Sequence, residues 1–179
     1  SFINIPEPHM GKGQTKKKFT HSPWNFRHTV LGVIGIFFYV GIEVGIPGEL
    51  IFYLNDSSAS GIVENATAIA GAVAACYWLL MLMGRICGGF LSMVCSSRSQ
   101  LIAVAAIAIG LVVAAICIPA SSRVSMPAYS VVDGFTFAEV PVSALLLVLC
   151  GLCTSVMWGG IFNLAVEGLG KYTAQASGI

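Results

Sequence analysis

Residues 37–54 read FFYVGIEVGIPGELIFYL: an apolar run that carries Glu43, Glu49, Pro47 and the glycines 41, 45 and 48. Proline has no N–H, so inside a helix the carbonyl four residues earlier loses its hydrogen bond. Here that carbonyl belongs to Glu43, so one residue combines a freed backbone acceptor with a carboxyl group. A charge at mid-membrane costs at least ~2.5–3.5 kcal/mol on insertion scales. Glu43 is therefore expected either to carry a proton or to face a polar cavity. Glu49, about 9 Å further along by helical rise, is expected to be wetter. The functional reading is a bent helix that lines a pathway and gates it, with Gly45 and Gly48 loosening the turn around Pro47. The plainer reading is a packing kink whose carboxyl group bonds a neighbour.

Two other stretches carry polar chemistry in apolar surroundings. MGRICGGF, residues 83–90, holds Arg85 between Gly84 and Gly88. Placed near a helix end, Arg85 can snorkel as a topology anchor, or it can pair with a carboxylate and latch a gate. CGLCTSVMWGGIFNLAVEGLG, residues 150–170, places Trp158 inside a span rather than in the interfacial belt where tryptophan concentrates. Two glycines follow it, and Asn163 stands on the turn beyond. An aromatic plate beside amides and carboxylates suits a sugar, whose C–H face lies on the ring while its hydroxyls need donors and acceptors. The alternatives are core packing for Trp158 and a helix-joining amide for Asn163. Trp158, Glu43, Asn163 and Tyr39 are thus the candidate substrate-binding residues, and Pro47, Gly45, Gly48 and Arg85 the candidate gating or hinge residues. The two GxxxG pairs, Gly41/Gly45 and Gly84/Gly88, are expected to let helices approach closely. Cys150 and Cys153 form a CxxC without a second pair or a nearby histidine, which reads as small apolar packing residues. No nucleotide, hydrolase or metalloprotease motif is present. The chain therefore reads as a non-enzyme, with no catalytic or metal set, no cofactor and no nucleic-acid partner.

These residues must be positioned by membrane helices. Of 179 residues, 56% are hydrophobic and only 9% charged, against about a quarter charged in soluble domains. Four runs reach the roughly 20 residues that a span needs: 28–54, 66–94, 101–119 and 140–166, joined by turns at 55–65, 95–100 and 120–139. Lipid offers no backbone partners, so each run is a helix. The expected fold is all-α: a polytopic membrane protein of four transmembrane helices. Lys12, Lys16, Lys17, Lys18 and Arg27 precede the first span, Arg98 lies in the middle turn with Arg85 before it, and Lys171 follows the last span. The other side holds Arg123 among Asp56, Glu64, Asp133 and Glu139. The positive-inside rule puts both ends and the middle turn in the cytoplasm. Organisation follows: a cytoplasmic arm (1–27), a four-helix membrane segment (28–170) and a loop leading to a further helix (171–179). An opening at SFINIPEP and an end at GLGKYTAQASGI are expected of part of a longer protein.

Three stretches resemble one family. FFYVGIEVG is similar to the start of the seventh helix of the fucose/glucose–galactose:proton symporters, a branch of the major facilitator superfamily. GRICGGFL resembles the GRxxG stretch of their eighth helix, and SVMWGGIFNLAVEGLGKYTAQASG their tenth helix and its exit loop. Order and spacing fit over essentially the whole chain. The resemblance implies helices seven to ten of a C-terminal six-helix bundle, with the missing N-terminal half and last helices as partners. It further implies proton-coupled monosaccharide uptake by alternating access, in a bacterial inner membrane. It places an aromatic residue facing the sugar at Trp158. The family usually follows that residue with proline and a hydroxyl residue, where this chain has Gly159 and Gly160. It locates the main proton-coupling carboxylates in the other half, so Glu43 is not assigned as the proton carrier. Two other readings stay open: a self-contained four-helix proton-coupled exporter, and a non-transporting membrane scaffold subunit.

Overall fold

The computed structural model describes residues 22–130 and 134–178. The lysine run and most of the N-terminal arm lie outside the described residues. Four helices have the length and hydropathy to cross a membrane: α1 (Arg27–Asn55), α3 (Ala66–Leu91), α4 (Ser97–Cys117) and α5 (Val142–Val166). The short α2 (Ser57–Ser60) follows α1, and one further helical turn, α6 (Thr173–Ala176), follows α5. The chain is an integral membrane protein, and the fold is mostly helical as expected. Each span shifts by a few residues. The clearest case is α4, which starts at Ser97 rather than Leu101 because the Ser96 side chain accepts the Ser99 N–H and caps the helix.

The stretch read as a plain turn at 120–139 is a β-hairpin. β1 (Arg123–Ser130) pairs antiparallel with β2 (Gly134–Pro141), from Arg123 opposite Pro141 to Ser130 opposite Gly134. Period-2 alternation explains it. Val124, Met126 and Ala128 share one face with Ala138 and Val140, and of these Met126, Ala128 and Val140 are buried. Pro127 is tolerated because a two-stranded sheet has a free edge for each strand. The inner face packs with Leu50, Leu54, Ile62, Val73 and Tyr77. The hairpin thus extends the core shared by the C-terminal part of α1 and the N-terminal parts of α3 and α5.

α5 is the centre of the bundle and packs against α1, α3 and α4. In lipid the drive for this is close packing rather than expulsion of water, and small residues supply it. Gly32 lies on Ala165, Gly84 on Ser155 and Leu152, Gly88 on Val156, and Gly151 on the Tyr77 backbone. Two buried or part-buried hydrogen bonds tie α1 to α5 at either end: the Thr29 hydroxyl donates to the Ala165 carbonyl at 3.1 Å, and Tyr53 meets Ser143 at 3.2 Å. Phe26 and Tyr172 touch ring to ring, so the two ends of the bundle's chain meet at one end. The Gly41/Gly45 pair does not do what its spacing promised. Among the described residues nothing lies within 4 Å of a Cβ placed at either one, nor at Gly48. The same motif packs in α3 and not in α1 because rotation about the helix axis turns the α1 glycines away from α3 and α5.

Candidate functional site

α1 is helical straight through Pro47, so the proline removes one hydrogen bond without ending the helix. The carbonyl it frees is occupied. The Tyr77 hydroxyl, from α3, donates to the Glu43 backbone oxygen at 3.3 Å. The Glu43 carboxylate is also held by α3, since Arg85 Nη2 donates to Oε1 at 2.8 Å. Tyr77 and Arg85 are eight residues apart, about two turns, so they share one face of α3. Met81 lies between them, buried, with its sulfur 3.8 Å from the guanidinium. Tyr39, one turn before Glu43, puts its buried hydroxyl beside the carboxylate. It lacks the geometry of a hydrogen bond to any described group.

Arg85 therefore does not snorkel. A helical side chain points back toward its own N-terminus, which carries this guanidinium away from the Leu91 end and onto Glu43. The pair is unequally covered, with 15% of the Glu43 side chain exposed and 49% of the Arg85 side chain. A guanidinium half open to hydrocarbon would be costly, so this face needs polar surroundings.

The open side of Arg85 faces a cleft of about 240 Å³ between the ends of α3 and α5 and the start of α4. Trp158, Asn163, Ser92, Gln100 and Ser155 contribute its other aromatic and polar groups, and Gly88 and Gly159 leave room in its walls. Trp158 is 43% exposed, and Phe162 stacks on it nearly parallel, with centroids 5.5 Å apart and planes 6° apart. Phe162 thus covers part of the indole, and the rest of its exposed surface borders the cleft. Asn163 is exposed to the cleft. Gln100, the one buried residue of α4 among those described, spends its amide on the Gly88 carbonyl at 3.3 Å. The volume is below the roughly 300–1,000 Å³ of typical small-molecule sites, as a single wall of a larger site would be.

Of the sequence-predicted residues, the fold brings Glu43, Tyr39 and Arg85 together, and Arg85, Trp158 and Asn163 around one cleft. Pro47 enters through the carbonyl it frees. Among the described residues nothing lies within 4 Å of a Cβ placed at Gly45 or Gly48, and Glu49 is exposed. Sequence reasoning missed Tyr77. A tyrosine at 77, a methionine at 81 and an arginine at 85 form a helical stripe whose spacing alone would have flagged it.

The chain is similar to bacterial sugar transporters. It is 32% identical over 158 residues to a glucose/galactose transporter of Brucella abortus, a match that covers 88% of this chain and 33% of the relative. It is 27% identical over 172 residues to a putative glucose/galactose transporter of Helicobacter pylori, covering 96% of this chain and 36% of the relative. The chain thus spans about a third of the length of the curated relatives it matches. No family model matches the chain, and no solved structure does.

Proposed function

We propose that this chain is one part of a proton-coupled monosaccharide transporter of the glucose/galactose type, in the major facilitator superfamily, and supplies one wall of its sugar site. The observation that carries this reading is Arg85: its guanidinium holds Glu43 on one side and lines the cleft of Trp158 and Asn163 on the other. A pyranose laid on the exposed surface of Trp158 presents hydroxyls to Asn163 and to the open N–H groups of Arg85. Sugar and Glu43 then draw on the same cation, which ties occupancy of the cleft to the α1–α3 contact. Alternating access follows if that contact differs between outward- and inward-open states. In such transporters substrate sits at the interface of two helix bundles. The remaining helices would complete the site and cover the half-open guanidinium. On this reading residues 1–27 are the end of a cytoplasmic loop, 28–170 the membrane segment and 171–179 the approach to a further helix. The membrane is a bacterial inner membrane.

The experiment is sugar binding to the full-length protein. Trp158→Ala is expected to weaken it by about tenfold or more, each ~1.4 kcal/mol being tenfold. Trp78→Ala is the control. Trp78 is 46% exposed, close to Trp158, but it packs edge-on to Tyr77 on α3 outside the cleft. Equal losses, at equal expression, return Trp158 to packing.

Orientation has its own test. With the exposed Cys87, Cys95 and Cys117 replaced by serine, an impermeant thiol reagent added from outside should modify a cysteine placed at Ser58 or Ser130. It should spare one placed at Gln14 or Ser97. The reverse pattern would overturn the cytoplasmic assignment of both ends.

A further inference from the structure

Tyr77 stands at a junction that the sugar cleft does not use. Its side chain is fully buried. Its hydroxyl reaches the Glu43 carbonyl on α1 at 3.3 Å and the Thr154 hydroxyl on α5 at 3.2 Å. Thr154, also buried, lies within hydrogen-bond reach of the Cys150 and Gly151 carbonyls of its own helix, at 3.1 and 3.2 Å. Two hydroxyls have two hydrogens, so these contacts cannot all be bonds at once. In one arrangement Tyr77 donates to Glu43, which fills the acceptor left by Pro47, while Thr154 donates either to Tyr77 or along α5. In the other, Thr154 donates along α5, Tyr77 donates to Thr154, and the Glu43 carbonyl is empty. No hydrogen is left without an acceptor in either. The switch therefore strands no donor in the dry core, and its cost is the one carbonyl that the second arrangement leaves empty.

We infer that Tyr77 is a positioning residue. It supplies the hydrogen bond that Pro47 removes from α1, and so fixes the C-terminal part of that helix against α3, and the exchange of that bond for Thr154 releases that part. Arg85 grips the same residue by its carboxylate, so α3 holds Glu43 at two points, and Tyr77 is the one that acts on the backbone. The inference concerns the movement of α1. It rests on the transporter reading only where transport is the readout.

The test is a double-mutant cycle of Pro47→Ala and Tyr77→Phe in the full-length protein in membranes. Tyr77→Phe removes only the hydroxyl, and the two ring carbons that Pro47→Ala removes from a buried position are common to both arms of the cycle that carry it. Pro47→Ala restores an N–H for the Glu43 carbonyl, so it makes the Tyr77 hydroxyl redundant if that hydroxyl does what is inferred. The first readout is thiol labelling at Ile46→Cys, a part-buried position one residue before the proline, and needs no sugar. With Pro47 present, Tyr77→Phe should speed labelling about two- to tenfold, the range that one net hydrogen bond carries. In the Pro47→Ala background it should change labelling by less than about twofold on the same scale. The same factor in both backgrounds, or no change with Pro47 present, overturns the inference. The second readout is sugar exchange. Tyr77→Phe should alter kcat and leave KM unchanged, and Pro47→Ala should cancel the change. A shift confined to KM would make Tyr77 a sugar contact and overturn the positioning role. If labelling follows the cycle and no sugar is exchanged by the parent protein, the hinge stands and the transport reading falls.

Discussion

Arg85→Met in the full-length protein is expected to abolish sugar uptake. The cost is lopsided because the two partners are unequally covered. Glu43 keeps only 15% of its side chain exposed, and Arg85 is the described cation that compensates it. Removing one partner of a fully buried pair costs about 3–5 kcal/mol, since it strands the other charge; with Arg85 half exposed the cost here falls below that range. Glu43→Gln removes titration and charge but keeps shape and an amide oxygen for Arg85, so it separates the roles. Loss of uptake with sugar exchange spared would assign Glu43 to proton coupling. Loss of both would assign it to the sugar site or the gate. Uptake equal to the parent's would leave it a tolerated polar contact between helices, and the pathway reading of residues 37–54 would fail. The exchanged pair, Glu43→Arg with Arg85→Glu, is expected to recover folded protein to a greater extent than either change alone, because the interaction is between these two charges. Yield after detergent extraction measures that recovery.

The second large effect is steric. Gly84→Val should separate α3 from α5. A Cβ at residue 84 falls on the Ser155 hydroxyl and lies 3.0 Å from the Leu152 backbone oxygen, which cannot rotate away. Overpacking of this kind costs about 1–3 kcal/mol, and the two branch methyl groups of valine add to the displacement. Because Arg85 is the next residue, the shift also moves the guanidinium off Glu43 and widens the cleft. A lower thermal midpoint together with reduced sugar binding is expected. Gly71→Ala, in the same helix with nothing within 4 Å of the added Cβ, is the control and should be neutral or slightly stabilising, since alanine is favoured over glycine in a helix by about 1 kcal/mol. An equal effect of the two substitutions would show that the α3–α5 approach at Gly84 is not what holds the bundle.

Much of this protein was legible in its sequence, for reasons that are local. A membrane demands an apolar run of fixed length and a helix to satisfy the backbone, so the four spans could be read to within a few residues. The orphaned carbonyl at Glu43 follows from Pro47 by counting four residues back, and a charge inside such a run had to be compensated. What the sequence could not say is which groups do the compensating. Tyr77 lies 34 residues from the Glu43 carbonyl and Arg85 lies 42 from its carboxylate, and many pairings across four helices are compatible with the same pattern. The two GxxxG motifs look alike in one dimension, and only the rotation of each helix decides that Gly84 and Gly88 meet α5 while Gly41 and Gly45 meet nothing described. The hairpin at 123–141 hid for a related reason. Its alternation is short, is interrupted by Pro127, and gains its stability from an inner face packed on α1, α3 and α5. Local chemistry set which groups needed partners, and the geometry of the assembled helices chose them.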